Sequence, residues 1–263
     1  MSSDLIYALS VECEGLVARV ILNGVDVFAE WEGAQRLTQT KVNHFIVEGS
    51  NALEVALTPM TDDEGRALGL ATLFRLSLHR GVHGVVPGDE GRVARFEWDA
   101  GSMPVEPGVI TAVWSRQFSV AAAQAFGPWS WSAPSAETVE AGDAPSLIGL
   151  VGEVHAAIEA RDVDRLVALT TLRDAELCRA LGLEPAEFAA DQRATWADWF
   201  AESPFVLEPF DPAALAAVPQ ARGRLVRLTD AYGNPPILGQ AGARHFAFAM
   251  MAAKVNGQWV IAR

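Results

Sequence analysis

Two Asn-Gly dipeptides, Asn23-Gly24 and Asn256-Gly257, lie near opposite ends of the chain, each between short runs rich in β-forming residues. Both residue types tolerate the positive φ that a two-residue hairpin turn requires. Each dipeptide therefore joins two antiparallel strands and sets which residues face one another. Between them the periodicity changes: residues 147–200 carry apolar side chains at 3-4 spacing rather than alternation. A chain with strands at both ends and helices between is predicted to form two domains. We expect an all-β antiparallel sandwich over 1–126 and a linker over 127–146. An α+β domain follows over 147–263, with helices packed on a curved antiparallel sheet.

The first part contains "LIYALSVE", "LVARVIL" and "VDVF", then "KVNHFIVE" and "ALEVALT", which Gly49-Ser50-Asn51 is expected to join as a hairpin. "LFRLSLH", "VARFEW" and "VITAVWSRQFS" complete seven or eight strands. Phe74, Leu76 and Leu78 alternate with Leu73, Arg75, Ser77 and His79, so one face of that strand should be wet. Asp62-Asp63-Glu64 reads as a polar turn. The stretch "ARVILNGVDV" followed by "VNHFIVEGSNALEVAL" resembles the jelly-roll sandwiches of the galactose-binding-like group. It shares an Asn-Gly hairpin, a Gly-x-Asn turn and a strand written Leu53-Glu54-Val55. The resemblance covers about the first 60 residues. It implies a β-sandwich, and sugar binding of the kind common in that group, but it carries over no ligand residue.

Residues 127–146, "GPWSWSAPSAETVEAGDAPS", have the composition of an exposed linker. Trp129 and Trp131 are expected to pin it to a domain surface, the alternative being an exposed aromatic platform. Beyond it, Leu147, Leu150, Val151, Val154 and Ile158 form one apolar helix face. Asp162 is placed to cap a second helix. Thr171 with Asp174 resembles a capping box, and Gly182 a helix stop. Pro185 opens a helix carrying Phe188, Trp196, Trp199 and Phe200, which Ser203-Pro204 ends, and Asp211-Pro212 opens one more short helix.

Strands return as "GRLVRLTDAYG", "ARHFAFAMMAAKV" and "QWVIAR". A two-residue loop at Asn256-Gly257 puts Lys254 opposite Trp259 and Ala252 opposite Ile261. Phe246, Phe248, Met250, Trp259 and Ile261 then share one face. "LVGEVHAAIEARDVDRLVAL" and "FAFAMMAAKVNGQWVIAR" resemble the opening and closing segments of the nuclear-transport-factor-like (cystatin-like) α+β cone. That resemblance covers about residues 146–263. It implies helices on a curved sheet whose cone holds a ligand or catalytic groups, or serves only to dimerise. The long helical segment with Trp196 and Trp199 departs from the pattern.

Half of the 263 residues are hydrophobic, 20% are charged, and the formal net charge is -13. No Lys/Arg cluster provides the basic face that a polyanion binder needs; Arg222, Arg224 and Arg227, alternating along an expected strand, are the densest group. Nucleic acid and anionic membranes are therefore not expected as partners. Cys13 and Cys178 make no metal spacing and read as free thiols of a reducing compartment. The first residues lack a signal-peptide pattern, and no window supplies the roughly 20 apolar residues of a membrane span. A cytoplasmic protein is expected.

Motifs of known chemistry are sparse. His79 and His83 with Asp89-Glu90 have the residue types of a metal site but no diagnostic spacing, and a solvated loop is the expectation. Nucleophile-elbow, phosphate-loop and dinucleotide fingerprints are missing. Cys178 reads as a small core residue. The one acid-base arrangement to weigh pairs Asp230 with His245, Tyr232 donating a hydrogen bond; the plain alternative is a turn aspartate and a strand histidine. Trp196, Trp199, Tyr232 and His245 are the ligand-binding candidates. No metal and no cofactor are expected. The leading expectation is a non-catalytic protein-interaction module of adaptor, inhibitor or immunity type, with a homodimer through the C-terminal sheet as a further possibility. The alternatives are a small-molecule enzyme or binder using the C-terminal pocket, and a carbohydrate-binding protein.

Overall fold

A computed structural model describes residues 5–60, 72–85, 89–99, 112–122 and 125–263. The expected turn at Asp62-Asp63-Glu64 and the start of "VITAVWSRQFS" lie outside them. Among the described residues the sheets are antiparallel, and the four α-helices all belong to the C-terminal half. The chain divides into two compact units, residues 1–127 and 128–263.

In the first unit the strands are β1 (Leu5–Glu14), β2 (Leu16–Leu22), β3 (Val25–Glu30), β4 (Arg36–Lys41), β5 (Gly49–Pro59), β6 (Leu73–Val82), β7 (Arg92–Asp99) and β8 (Ala112–Val120). They form two sheets, ordered β4-β1-β6-β7 and β3-β2-β5-β8. Asn23-Gly24 makes the expected hairpin: Leu22 faces Val25, and the turn residues have φ of 54° and 78°. Alternation decides the faces. Tyr7, Leu9, Val11 and Cys13 of β1 are buried, as are Phe74, Leu76 and Leu78 of β6, while Arg75 is exposed.

The expected hairpin of "KVNHFIVE" with "ALEVALT" does not form. Residues 43–45 make a 3-10 turn, and Gly49 and Ser50 are already within β5. β4 pairs with β1 in one sheet, whereas β5 pairs with β2 and β8 in the other, so residues 42–48 carry the chain between sheets. Asparagine side chains supply the reason. Asn43 is buried; its Oδ1 accepts the Tyr7 N–H at 2.7 Å and its Nδ2 donates to the Leu5 carbonyl at 3.0 Å. Asn51 Oδ1 accepts the Val47 N–H at 2.9 Å, and its Nδ2 donates to the Val47 carbonyl at 2.8 Å. These bonds satisfy backbone groups that a strand ladder would otherwise have paired.

The second unit begins with the stretch expected to be an exposed tether. It is packed: Trp129 is fully buried and Trp131 nearly so. The Ser130 N–H donates to Glu176 Oε1 at 2.6 Å, and Arg263 Nη1 donates to Glu176 Oε2 at 2.5 Å. The guanidiniums of Arg179 and Arg263 lie over the Trp129 ring, 4.7 and 5.3 Å from its centroid. Lys254 Nζ meets Asp143 Oδ1 at 3.0 Å and anchors the end of this stretch.

The helices are α1 (Ala144–Glu159), α2 (Val163–Leu169), α3 (Thr171–Leu181) and α4 (Pro185–Ala201). α1 buries the expected face of Leu147, Leu150, Val151, Val154 and Ile158. Asp162 caps α2 by accepting the Arg165 N–H at 2.9 Å, and Gly182 stops α3 at φ 67°. The start of α3 is one residue earlier than expected. Thr170, not Thr171, donates its hydroxyl to Asp174 Oδ2 at 2.7 Å, while Thr171 Oγ1 donates back to the Ala168 carbonyl at 2.9 Å.

The strands are β9 (Phe205–Leu207), β10 (Ala216–Gln220), β11 (Leu225–Thr229), β12 (Ile237–Ala241), β13 (Arg244–Phe248), β14 (Met250–Val255) and β15 (Gln258–Ile261). The long expected strand is two, broken at Ala249. β13 belongs to the order β13-β12-β9, and β14 to β10-β11-β14-β15. The closing register is the expected one, with Lys254 opposite Trp259 and Ala252 opposite Ile261. The apolar face also stands: Met250, Trp259 and Ile261 are core residues, with Phe246 and Phe248 packed against them. Arg222, Arg224 and Arg227 do not alternate along one strand. Arg222 sits in a turn at φ 60°, and of the three only Arg227 is within β11.

Candidate functional site: an acidic, aromatic groove in the second unit

β9 ends at Leu207, and the chain leaves it through "EPFDPAAL". Two backbone features hold this loop. The Glu208 N–H donates to the Leu238 carbonyl at 3.0 Å, and the Glu208 carbonyl lies 2.8 Å from His155 Nε2 of α1. The Phe210 ring packs 6.1 Å from the His155 ring. Asp211 accepts the Ala213 N–H at 2.9 Å and opens the short 3-10 helix expected after Asp211-Pro212.

Facing this loop is the turn between β11 and β12, "DAYGNPP". Asp230 builds it: its Oδ1 accepts the N–H groups of Tyr232 and Asn234, each at 2.8 Å, and its Oδ2 accepts Asn234 Nδ2 at 3.0 Å. Partial burial pushes the Asp230 carboxyl up, but these hydrogen bonds outweigh it and hold the pKa below the usual aspartate value. Gly233 turns the corner at φ 90°, a conformation that favours glycine. Tyr232 projects into solvent, 91% exposed.

Between loop and turn runs a groove of ≈ 190 Å³. Phe210, Leu215, Pro235 and Leu238 give it an apolar floor, while Glu208, Asp211, Asp230 and Tyr232 supply the polar rim. No lysine or arginine lines it. Among the described residues the Glu208 carboxylate has no hydrogen bond or ion pair, so its charge faces water.

The structure thus brings Asp230 and Tyr232 together and leaves His245 elsewhere. His245 is exposed on β13, opposite Gln240. No hydrogen bond joins it to Asp230 among the described residues, and both Asp230 oxygens are engaged by their own turn. The geometry is that of a turn-building carboxylate.

Trp196 and Trp199 are also elsewhere. The Trp196 ring stacks on Phe200 at 5.5 Å and lies 5.9 Å from Phe248. Trp199 lies 5.6 Å from Phe246, with the Arg244 guanidinium 4.3 Å from its ring centroid. Both are half-buried, joining α4 to β13 through an aromatic layer that also includes Phe205. They are packing residues with occupied ring faces.

His79 lies on β6, and His83 is exposed beyond its end. The Asp89 side chain is outside the described residues. Among the described residues no group of three or more His, Cys, Asp or Glu side chains is placed to hold a metal ion. Cys13 and Cys178 are buried free thiols, each pushed up in pKa chiefly by burial, Cys13 to about 12. Among the described residues no helix is long and apolar enough to cross a membrane.

Sequence reasoning missed Glu208, Phe210, Pro235 and Leu238. The signal was present in part: Asp211-Pro212 and "DAYGNPP" read as two turn motifs. Nothing local indicates that these turns face each other. No protein-family model matches the chain, and neither a curated protein nor a solved structure is found to be similar to it.

Proposed function

We propose that this protein is a non-catalytic interaction protein whose second unit docks a cationic, partly apolar segment of a partner protein in the groove between Glu208 and Tyr232. The observation that carries the reading is the lining itself. Three carboxylates surround an apolar floor, no cation neutralises them, and an exposed tyrosine stands at the rim. Tyrosine is a favoured anchor at such surfaces because its ring is large and rigid and its hydroxyl stays wet. The rim charges attract a basic segment and raise its association rate, while the floor supplies desolvation. In this reading the first unit is a jelly-roll-like antiparallel sandwich. The second is a nuclear-transport-factor-like α+β cone whose interior is filled by the aromatic layer of α4 and β13. That filling favours docking at the rim over a ligand held inside the cone.

The test is fluorescence anisotropy with a labelled synthetic peptide alternating Lys or Arg with Leu and Pro. A matched peptide with Gln in place of the cations is the control. We expect the basic peptide to bind, and Tyr232→Ala and Glu208→Lys each to weaken binding about tenfold, the loss of one interface anchor. Equal binding of both peptides, or binding indifferent to both substitutions, overturns the reading.

A further inference from the structure

The exposed face of the β4-β1-β6-β7 sheet has a relief set by its register. Directly opposed residues of antiparallel strands point to the same side. Three rows therefore cross the outer face: Lys41–Ala8–His79–Arg92, Gln39–Ser10–Ser77–Arg95 and Leu37–Glu12–Arg75–Glu97. In the first two rows the centre, His79 apart, is low and the edges are high. Ala8, Ser10 and Ser77 are small, whereas Lys41, Gln39, Arg92 and Arg95 are long. Gly81, opposite Ile6, extends the low centre by one more step. The face is thus a trough running parallel to the strands, with β4 and β7 as its walls. Two hollows of ≈ 300 and ≈ 340 Å³ lie along it.

Its two ends differ. One is crossed by the ion pair of Arg75 with Glu12, 2.9 Å long. The other opens between Ile6, Val82 and Val85, the two valines being half or more exposed. The low centre spans the four residue steps of strand from Ser10 to Ile6, roughly 13 Å at the rise of an extended chain.

The charge of the trough runs against that of the molecule. The chain carries a net -13, yet the two hollows are lined by Lys41, Arg75, Arg92 and Arg95 against Glu12 and Glu97, while Glu14 and Asp99 share the face one row beyond the Arg75–Glu12 pair. Glu12 is already engaged by Arg75 and Glu97 by Arg95. Lys41, one of two lysines in the chain, makes no ion pair among the described residues. His79 lies in the same row, and its Nδ1 has no hydrogen-bond partner.

We propose that this trough binds an extended acidic peptide segment of another protein, a second site distinct from the groove described above. A strand-like chain fits a straight channel of this length. Its carboxylates meet the Lys41–Arg92 row, Ser10, Ser77 and Gln39 hydrogen-bond its backbone, and an apolar side chain covers Ile6, Val82 and Val85. Apart from His79 no ring lines the trough, so a base or sugar ring finds no stacking platform.

The experiment uses the full chain and a labelled eight-residue peptide alternating Glu with Val, its Gln-for-Glu counterpart, and an acidic oligosaccharide, all read by anisotropy or competition. The acidic peptide should bind, the Gln peptide should bind at least tenfold more weakly, and affinity should fall as salt rises from 50 to about 300 mM. Lys41→Glu, a change at an exposed position, should weaken binding about tenfold, and Ala8→Trp should abolish it by filling the floor. Circular dichroism checks the fold of each; if Ala8→Trp is unfolded, Ser77→Arg replaces it. Equal binding of the Glu and Gln peptides, or binding unmoved by Lys41→Glu, overturns the proposal. Binding of the oligosaccharide in place of the peptide overturns the peptide assignment.

Discussion

Asn23 and Asn51 are joined side chain to side chain across a sequence separation of 28, Asn23 Nδ2 donating to Asn51 Oδ1 at 2.8 Å. The same Asn23 amide donates to the Phe45 carbonyl at 2.8 Å, and Asn23 Oδ1 accepts the Ala52 N–H at 2.9 Å. A residue that makes a hairpin turn by its backbone thus also holds the crossover between two sheets by its side chain.

Asn51→Leu should therefore strip the Val47 amide and carbonyl of their side-chain partner together, while the Asn23 amide keeps the Phe45 carbonyl. Each buried polar group left unsatisfied costs about 1–3 kcal/mol, so a loss of about 3 kcal/mol is expected. Urea unfolding measures it. A loss under about 1 kcal/mol would show that water replaces these bonds freely.

Glu30 should make stability depend on acid pH. Burial alone would raise its pKa. Hydrogen bonds from Arg36 and from the Glu32 and Ala34 amides outweigh burial and hold the value below the ordinary one. The folded-state pKa is the lower, so the contribution is complete above the unfolded value of about 4.3 and is lost as pH falls through the folded value. Glu30→Gln should lose roughly 2 kcal/mol at pH 7, as when a charge-assisted hydrogen bond is removed. The gap to the parent protein should narrow as pH falls below the unfolded value of about 4.3 and close once pH is below the folded one. A gap independent of pH would contradict the assignment.

Cys13 and Cys178 should resist alkylation in the folded protein. The Cys13 thiol is pushed to about 12, first by burial and then by the Glu30 charge, so almost no thiolate is present at pH 8. Iodoacetamide labelling should proceed at the rate of unfolding and accelerate in urea in step with it. Rapid labelling in buffer, seen by mass spectrometry, would show that the thiols are reachable.

Trp199→Ala should act on stability alone. Truncating a large aromatic in a packed layer costs about 3–5 kcal/mol when it is fully buried, and roughly half that for a half-buried ring. The melting temperature should fall, while basic-peptide binding at the Glu208–Tyr232 groove stays unchanged in the cold. A binding defect in folded Trp199→Ala protein would place the ring in the binding surface.

Glu176→Gln should loosen the segment around Trp129. Glu176 and Arg263 are both nearly buried, and removing one member of such a pair costs about 3–5 kcal/mol. Proteolysis within residues 128–146 should accelerate, since the Ser130 amide also loses a charged acceptor. Unchanged cleavage there would mean that packing of Trp129 and Trp131 suffices.

The local pattern decided many of the features that need only neighbours in the chain. The register at Asn256-Gly257, the hairpin at Asn23-Gly24, the buried face of α1, the Asp162 cap and the Gly182 stop all depend on residues within a few positions of each other. Turn conformation and side-chain periodicity carry that information directly. The groove was legible only as two unrelated turns.

Tertiary structure decided the rest, because a polar or aromatic side chain has no fixed role until its partner is known. Asn43 read as a strand residue and Asn51 as a turn former, yet the backbone of Leu5 and Tyr7 recruited the first and the Asn23 side chain the second, and a crossover replaced the hairpin. Trp129 and Trp131 sat in a linker-like composition, but the Glu176–Arg263 pair and two guanidiniums gave that segment a place to bury. The trough on β1 and β6 is likewise written in four strands at once. Small residues become a floor, and lysine and arginine become walls, only when antiparallel pairing sets them side by side.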